Sequence, residues 1–295
     1  MPVALTSGRL TLVLQPEIGG SVGAFRLAGD NGTLDLMRPA TGPHALGSGM
    51  FPMVPFANCI RDNRFGFGGR QYRVLPNMAG VELNFHGSGW LSEWSVAART
   101  PATAELVLED GRIEGAYRFR ATQRFELDGE GLSVWLTVEN LGADAMPFTF
   151  GLHPWFPRHG SARVRFHSDG RWQGDESGRT IAHVPLADGG DYATWKEPPL
   201  DWQNVCHTGW NGVAEIDWPG VGVGLRIVSD PVFTHLMVHV PMTGEAVFCL
   251  EPQCNAPCAF DGLDTGKVAT GVHVLAPREE IGCRTRFIPV QATHR

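Results

Sequence analysis

Long apolar runs are missing from this sequence of 295 residues. The longest extend over only a few residues, whereas a membrane-spanning helix needs about 20. The first thirty residues also lack a charged segment followed by an apolar one, which a secretory signal peptide would have. We therefore expect a cytoplasmic protein that does not bind membranes.

Basic residues are also few. Lys196 and Lys267 are the only lysines, and 24 Lys and Arg residues are scattered among 31 Asp and Glu, which gives a formal net charge of -7. Nucleic-acid-binding domains usually carry clustered basic residues. The composition therefore predicts no nucleic-acid partner, and it does not favour a polyanionic substrate.

The six cysteines do not indicate a disulfide framework, because a chain of this length can bury a sizeable core without one. In a cytosolic protein such residues are normally reduced thiols. Cys254 and Cys258 could form a metal site with Cys206 and His207, but structural zinc sites usually have tighter paired spacings, and Pro257 directly precedes Cys258. The sequence therefore predicts small buried thiols and no metal.

Several common motifs are absent. The sequence has no Walker-type phosphate loop, HExxH, GxSxG or Rossmann fingerprint after a strand, which argues against nucleotide binding and against zinc-protease and α/β-hydrolase activities. It also has no long stretch with apolar residues at helical spacing, and no alternation of strands with long helices. A parallel α/β fold, which requires that alternation, is therefore not expected.

Short strand patterns separated by turn residues fill the sequence. Its 37 Gly and 21 Pro are spread throughout, and several segments between them alternate apolar with polar residues, as half-buried strands do. In one such segment Leu132, Val134, Leu136 and Val138 would share a face. The pattern predicts an all-β fold, a large antiparallel β-sandwich. The predicted strands are Arg9–Leu14, Tyr117–Phe125, Leu132–Asn140, Arg163–His167, His235–Val240 and Val272–Leu275.

One domain is predicted for residues 1–295. The loop-like region Trp172–Pro198 is the best candidate for a domain boundary. However, the segments on its two sides have similar compositions, and nothing repeats at a fixed period. A large twisted sandwich could use the whole chain.

Glu251 stands out because it directly follows an apolar run, in AVFCLEP (246–252). Burying a carboxylate is costly unless it is paired. Desolvation raises the pKa of such a group, which suits a general base that works near neutral pH. Alternatively, Glu251 lies at the end or edge of a strand and points to solvent.

His153 lies in GLHPWF (151–156), where a proline and two aromatic residues follow it. Trp155 and Phe156 offer flat apolar faces that could stack on the C–H groups of a sugar. Imidazole is also the side chain whose unperturbed pKa is closest to neutral pH. A core histidine with satisfied hydrogen bonds would give the same pattern.

His86 begins the segment HGSGW (86–90), and Trp90 and Trp94 follow it. The glycines predict a tight loop where the backbone approaches another group closely. A plain turn with aromatic packing explains the segment equally well. This segment therefore does not identify a site by itself.

These segments occur together in an order that resembles the aldose 1-epimerase (galactose mutarotase-like) family. The resemblance extends from about Ile18 to Arg286, and GLHPWF and the E-P segment are its most specific parts. The matching segments are FPMVPFANCIRDNRFGFGGRQY (51–72), HGSGW (86–90), GLHPWF (151–156), TGWNG (208–212) and CLEPQCNAPCAF (249–260).

The resemblance implies a β-supersandwich that binds a free monosaccharide across a concave sheet. It also implies mutarotation, the exchange of the α and β anomers of an aldose. By this resemblance, Glu251 is the base that takes the proton of the C1 hydroxyl, His153 is the acid that protonates the ring oxygen, and His86 helps to hold the sugar. It implies no cofactor and no metal, and the protein could be a monomer or a homodimer.

Two positions depart from the family's pattern. Its Asn-Arg-Ile is Asn-Cys-Ile here (58–60), so a sugar-binding arginine is missing, and Arg61 could point to the same face if this segment is a strand. Asn204 stands where the family has an aspartate. We expect the two losses to shift specificity to a sugar other than the common hexoses, such as a pentose, a deoxysugar or a ketosugar. The expected sugar-binding residues, besides His86, are Asn58, Arg61, Trp155 and Asn204.

Three other functions stay open. A non-catalytic sugar-binding or regulatory protein could share the fold, although binding alone does not require both Glu251 and His153. A hexose-6-phosphate epimerase would need cationic groups for the phosphate, and the loss at Cys59 and the scarcity of lysine count against it. A lyase or isomerase could act on an unusual sugar with the same proton-transfer pair, and product analysis would distinguish it from a mutarotase.

Overall fold

The computed structural model describes residues 1–30, 32–174, 180–242, 244–261, 263 and 271–292. Nearly all regular structure in these ranges is β-strand, which confirms the predicted all-β class. None of the described helices has the length and apolar character needed to cross a membrane. The 3₁₀ turns are Ala45–Gly47, Arg61–Asn63, Gly89–Leu91 and Pro219–Val221.

The strands are short and follow one another through tight turns, as the spread of glycine and proline predicts. In chain order they are β1 (Val3–Ser7), β2 (Leu10–Gln15), β3 (Ser21–Gly29), β4 (Gly32–Asp35), β5 (Met50–Met53), β6 (Arg64–Phe67), β7 (Arg70–Arg73), β8 (Ser95–Arg99), β9 (Thr103–Ile113), β10 (Tyr117–Leu127), β11 (Leu132–Asn140), β12 (Met146–Phe148), β13 (Gly151–Pro157), β14 (Arg163–Phe166), β15 (Gly170–Gly174), β16 (Thr180–Pro185), β17 (Gln203–Thr208), β18 (Val213–Trp218), β19 (Val223–Ser229), β20 (His235–Val240), β21 (Val247–Gln253), β22 (His273–Leu275) and β23 (Glu280–Gln291).

Two antiparallel sheets contain most of the described strands. The larger has the order β1-β2-β3-β5-β13-β21-β20-β17-β15-β16, with β4 beside β3. The smaller has the order β14-β18-β19-β23-β11-β10-β9-β8, and β6–β7 and β12–β22 form separate ribbons. One hydrophobic cluster contains Leu12, Phe25 and Leu236 of the larger sheet and Phe125 and Val134 of the smaller. The sheets therefore pack face to face, which confirms the predicted antiparallel sandwich.

The alternation of apolar residues in β11 explains its position in the sheet. Leu132, Val134, Leu136 and Val138 are all 0% exposed and belong to the core cluster. Trp135 points to the other face and is partly exposed. All six predicted strands are present, and their ends differ from the prediction by no more than two residues.

The region Trp172–Pro198, predicted as a loop, contains strand structure instead. β15 pairs with β17, and β16 pairs with β15, so both strands extend one edge of the larger sheet. The polar, glycine-rich sequence that indicated a loop is also compatible with an edge hairpin, because edge strands are covered on fewer sides. Residues 175–179 lie outside the described ranges. The single domain over residues 1–295 stays a prediction.

The six cysteines are free thiols, as predicted. Four of them are buried and two are partly exposed. The partly exposed thiols belong to Cys59 and Cys258, which both line the cavity described below. The described fold is thus held together without disulfides.

Candidate active site

Five neighbouring strands in the middle of the larger sheet form the floor of the candidate site: β5, β13, β21, β20 and β17. Trp155 of β13 pairs with Cys249 of β21. His153, two residues before Trp155, therefore faces Glu251, two residues after Cys249. Side chains two residues apart on a strand point to the same face. The two residues of the expected acid–base pair thus lie side by side on one face of the sheet.

A cavity of about 390 Å³ lies on this face. Small-molecule sites range from about 300 to 1,000 Å³, so this volume suits one sugar ring. Aromatic and aliphatic side chains form much of its wall, and a few polar groups converge on its interior. All seven residues expected to act in catalysis or sugar binding line it: His153, Glu251, His86, Asn58, Arg61, Trp155 and Asn204.

His153 and Glu251 form a close, buried pair. His153 Nε2 lies 3.3 Å from Glu251 Oε1, and the two side chains are 7% and 3% exposed. Burial raises the pKa of Glu251 well above its usual value. Burial, reinforced by His86 and His239, lowers the pKa of His153 well below its usual value. Burial thus favours the neutral forms of both side chains, which are protonated Glu251 and unprotonated His153. The pair therefore shares one transferable proton, which either side chain can carry.

The imidazole of His153 is fixed between two aromatic rings. The ring of Phe51 stacks on it at 4.4 Å between centroids, with an interplanar angle of 24°. Trp155 stacks on it at 5.1 Å and 26°. These contacts restrict rotation of the imidazole, so that Nε2 stays directed at Glu251.

Arg38 holds Trp155 in place. Its guanidinium carbon lies 4.2 Å from the centroid of the Trp155 ring, within the range of a cation–π contact. The same guanidinium donates to the carbonyl oxygens of Leu46 and Ser48, at 2.7 Å for the shorter Ser48 contact, and lies 3.2 Å from Glu245. Arg38 thus contacts Trp155, and Trp155 in turn stacks on His153.

Removing this anchor is expected to destabilise the fold. Arg38→Met keeps the apolar stem but leaves two carbonyl oxygens without their charged donor, so we expect the free energy of unfolding to fall by about 2 kcal/mol. Urea denaturation would measure the loss. Arg26→Met is the matched control, because Arg26 and Asp35 form an ion pair with side chains 40% and 32% exposed, and such pairs contribute about 1 kcal/mol or less. Equal losses in both variants would contradict the role of Arg38.

Two hydrogen bonds from backbone amides join His86 and Asn58, one accepted by a ring nitrogen and one by a carbonyl oxygen. The Asn58 amide donates to His86 Nδ1 at 3.1 Å, and the His86 amide donates to the Asn58 carbonyl at 2.8 Å. Burial lowers the pKa of His86 to about 3. His86 is therefore neutral with Nδ1 as an acceptor, which leaves Nε2 as an N–H donor.

The glycine after His86 has the role that the sequence predicts. Gly87 has φ +66°, and a Cβ at this position would lie 2.5 Å from the Val54 carbonyl oxygen. Only glycine allows this close approach of two backbone segments. The tight loop expected at HGSGW is confirmed.

The sequence of this chain is similar to a known protein family and to a bacterial protein. The model of the family described as aldose 1-epimerase matches residues 2–255. The chain belongs to the aldose 1-epimerase family. An uncharacterized Escherichia coli K12 protein, YphB, is 33% identical over 271 residues, which covers 86% of this chain and 88% of that protein.

Solved structures of two bacterial proteins have the same fold. The crystal structure of a candidate aldose 1-epimerase from Escherichia coli K12 is 29% identical, covers 99% of both chains and has a TM-score of 0.89. A galactose mutarotase-like protein from Clostridium acetobutylicum is 18% identical over 98% of this chain and 95% of its own, with a TM-score of 0.80. At that identity the second comparison shows the fold alone.

Arg61 lies near the position of the family arginine but in a different backbone conformation from the expected one. Residues 61–63 form a 3₁₀ turn, and Asn58 has φ 63°, so the alternation of a strand does not apply here. Cys59 and Arg61 both line the cavity nevertheless. Arg61 Nε lies 2.5 Å from Asp261 Oδ2 in a half-exposed ion pair. Its charge is therefore directed at a carboxylate.

Asn204 lies on the cavity wall, at the position where the family pattern has an aspartate. It occupies β17 and pairs with His239 of β20. Both side chains line the cavity. An amide at this place offers a donor as well as an acceptor, where a carboxylate would offer acceptors only.

His239 is a cavity residue that the sequence analysis missed. Its ring lies 5.6 Å from Trp155 at 83°, and burial lowers its pKa to about 4. The alternation in HLMVHV places His239 on the same face as Met237. The alternation thus indicates which face of β20 carries His239. It does not indicate that this face forms a cavity wall, because that depends on which strands lie beside β20.

Proposed function

We propose that this protein is an aldose 1-epimerase that interconverts the α and β anomers of an unphosphorylated monosaccharide. One observation carries the proposal: His153 Nε2 and Glu251 Oε1 lie 3.3 Å apart at the floor of a cavity that fits one sugar ring. Anomer exchange requires one group that gives a proton and one that takes a proton at neighbouring oxygens. The ring oxygen and the C1 hydroxyl oxygen are both bonded to C1, so a pair this close can reach both.

The proposed reaction moves two protons and breaks one bond. The reaction starts from the form of the pair in which the shared proton lies on His153 and Glu251 is ionised. Glu251 then takes the proton of the C1 hydroxyl while His153 gives its proton to the ring oxygen O5. The C1–O5 bond breaks, and C1 becomes an aldehyde carbon. Rotation about C1–C2 presents the other face of the carbonyl to O5. The bond then forms again on that face as both protons return.

The protein's own groups suffice for this chemistry. The pair starts with one proton in total, so it always offers one acid and one base. His86, with its Nε2–H, is placed to hold a sugar hydroxyl, and Trp155 presents a ring face next to His153. Burial of the His153 and Glu251 side chains limits their contact with bulk water during both proton transfers.

Charge favours an uncharged sugar over a sugar phosphate. The three cavity histidines, His86, His153 and His239, all have lowered pKa values because of burial. None of the three therefore adds an unpaired positive charge near pH 7, since any proton on His153 is matched by the Glu251 carboxylate. Arg61 is ion-paired with Asp261. Lys196 lies outside the cavity wall, and Lys267 lies outside the described residues.

A panel of sugars tests the proposal and its specificity. Polarimetry would follow anomer exchange for glucose, galactose, pentoses, deoxysugars, ketosugars and glucose 6-phosphate. We expect acceleration of at least one neutral sugar, weaker action on glucose and galactose because of Cys59 and Asn204, and none on the phosphate. Equal turnover of galactose and every other sugar would contradict the shift in specificity. No acceleration for any sugar would favour a binding protein of the same fold.

A further inference from the structure

Three side chains of metal-ligating type lie close together at the cavity, and two of them, His153 and Glu251, line it. His153 Nε2, a carboxylate oxygen of Glu251 and Cys249 Sγ all lie within 4.8 Å of one another. All three residues are buried. They are the one set of this kind found among the described residues. Their convergence follows from the register, since Cys249 and Glu251 are two residues apart on β21 and His153 is on the adjacent strand.

We propose that His153, Glu251 and Cys249 form a Zn²⁺ site whose occupation inhibits the enzyme. The binding of the ion stands on the geometry alone. The inhibition rests on the proposed function, because it assumes that His153 and Glu251 exchange protons with the sugar.

The dimensions of the set suit zinc. Zinc bonds of about 2.0–2.3 Å in a tetrahedron place neighbouring donor atoms about 3.3–3.8 Å apart. The distance of 3.3 Å between His153 Nε2 and Glu251 Oε1 already has this value. The sulfur needs a side-chain movement of no more than about 1 Å to reach the same range. Three protein ligands leave a fourth position for a small molecule, as in many catalytic zinc sites, and two of the ligands, His153 and Glu251, line the cavity.

The chemistry of the donors selects the metal. Imidazole and thiolate together favour zinc over magnesium or calcium, which prefer oxygen ligands. His153 Nε2 faces the Glu251 carboxylate at 3.3 Å, so both can direct lone pairs at an ion bound beside them. Zinc binds the deprotonated forms of Cys249 and Glu251, so any protons that these two groups carry are released to water when the ion binds.

Charge neutrality makes the buried site favourable for a dication. A thiolate, a carboxylate and a neutral imidazole carry two negative charges, which balance Zn²⁺. Arg38 lies near Cys249, and its charge is paired with Glu245 at 3.2 Å. The other titratable groups around His153 are His86 and His239, which are neutral near pH 7. No unbalanced charge is therefore buried when the ion is bound.

Occupation would inhibit anomer exchange directly. The ion would use Nε2 of His153 and the Glu251 carboxylate, the two groups that exchange protons with O5 and the C1 hydroxyl in the proposed reaction. Zn²⁺ and sugar would therefore exclude each other. Cys249 takes no part in the proposed reaction. Its replacement should therefore weaken metal binding and leave turnover of the sugar intact.

Cobalt binding tests the site without any sugar. Metal-free protein, prepared with a chelator that is then removed, would be titrated with Co²⁺, whose bond to a thiolate gives a near-ultraviolet absorption band. We expect one equivalent to produce the band, Zn²⁺ to displace it, and Cys249→Ser and Cys249→Ala to weaken binding by at least about 10-fold. Cys59→Ser and Cys258→Ser are controls in the same cavity and should keep the band. Absence of the band, its survival without Cys249, or its loss in either control would overturn the site.

Inhibition separates this proposal from the proposed function. For a sugar that the wild type turns over, Zn²⁺ should inhibit in competition with the sugar. Cys249→Ser should keep turnover and tolerate at least about 10-fold more Zn²⁺. Equal inhibition of both proteins would overturn the inhibitory site. A cobalt site in a protein that accelerates no sugar would leave the metal site standing and remove the proposed function.

Discussion

Glu251→Gln is expected to lower kcat for anomer exchange by about 10²–10⁴-fold, the range that one general acid–base group contributes. Glutamine has nearly the same shape as glutamate, so the sugar should still bind and KM should change little. It cannot take the proton of the C1 hydroxyl, however, because its side-chain amide is not basic. Polarimetry on the best sugar of the panel would measure both constants.

The lower kcat of Glu251→Gln should come from the missing base and not from unfolding of the variant. Burial raises the pKa of Glu251 in the folded state above that in the unfolded state. Above the unfolded pKa, the unfolded chain ionises while the folded chain keeps its proton, so Glu251 lowers stability as pH rises. In a chelating buffer, Glu251→Gln should therefore be at least as stable as the wild type at neutral pH.

Glu139→Gln is the matched control for the activity loss. Glu139 is also a largely buried glutamate, with a side chain 12% exposed and ion-paired with Arg278, but it lies on β11 of the smaller sheet. Its replacement should leave kcat unchanged. Equal effects of the two glutamine variants on kcat would contradict a special role for Glu251.

His153→Gln is expected to lower kcat by a similar factor of about 10²–10⁴. The variant keeps a polar side chain between Phe51 and Trp155 but cannot give a proton to O5. His86→Gln provides the contrast, because His86 is assigned to holding the sugar. That variant should raise KM more than it lowers kcat. If His153→Gln kept wild-type kcat, His153 would not be the acid.

The sequence predicts the strands well because each depends on local patterns. The alternation from Leu132 to Asn140 alone specifies β11 and its buried face. The apolar run before Glu251 left two alternatives open, a buried carboxylate with a raised pKa or a strand-end residue facing solvent, and the structure shows the first, with Glu251 2% exposed. The local pattern decided the strand β11, but the burial of Glu251 follows only from its neighbouring strands.

The cavity depends on contacts between distant segments, which the sequence patterns do not give. His153 and Glu251 lie almost a hundred residues apart in the chain, and the family resemblance, not the alternation, predicted that they act together. His239 was missed for the same reason, since the order β21-β20-β17 decides that its face closes the cavity. The direction of the Arg61 side chain was predicted from strand alternation, which does not extend to this residue. The positive φ of Asn58 interrupts the extended backbone before Arg61 is reached.

The stacking on His153 also depends on tertiary structure. Phe51 lies in a segment that matches the family, but its place beside His153 comes from the pairing of β5 with β13. Arg38 lies in a loop with no motif, and its contact with Trp155 brings a buried charge next to the site. Neither residue carries a local signal that sets it apart from ordinary core or loop positions.

The coupling between His153 and Glu251 is the central claim, and a double variant tests it most directly. Saturation-transfer NMR between the two anomeric signals would give exchange rates for the wild type, Glu251→Gln, His153→Gln and the double variant. Residues that act as one unit show losses that do not multiply. We therefore expect the wild type to exceed spontaneous exchange clearly and the double variant to be no slower than the slower single variant. Losses that multiply, or a wild-type rate equal to the spontaneous one, would contradict a paired acid–base mechanism.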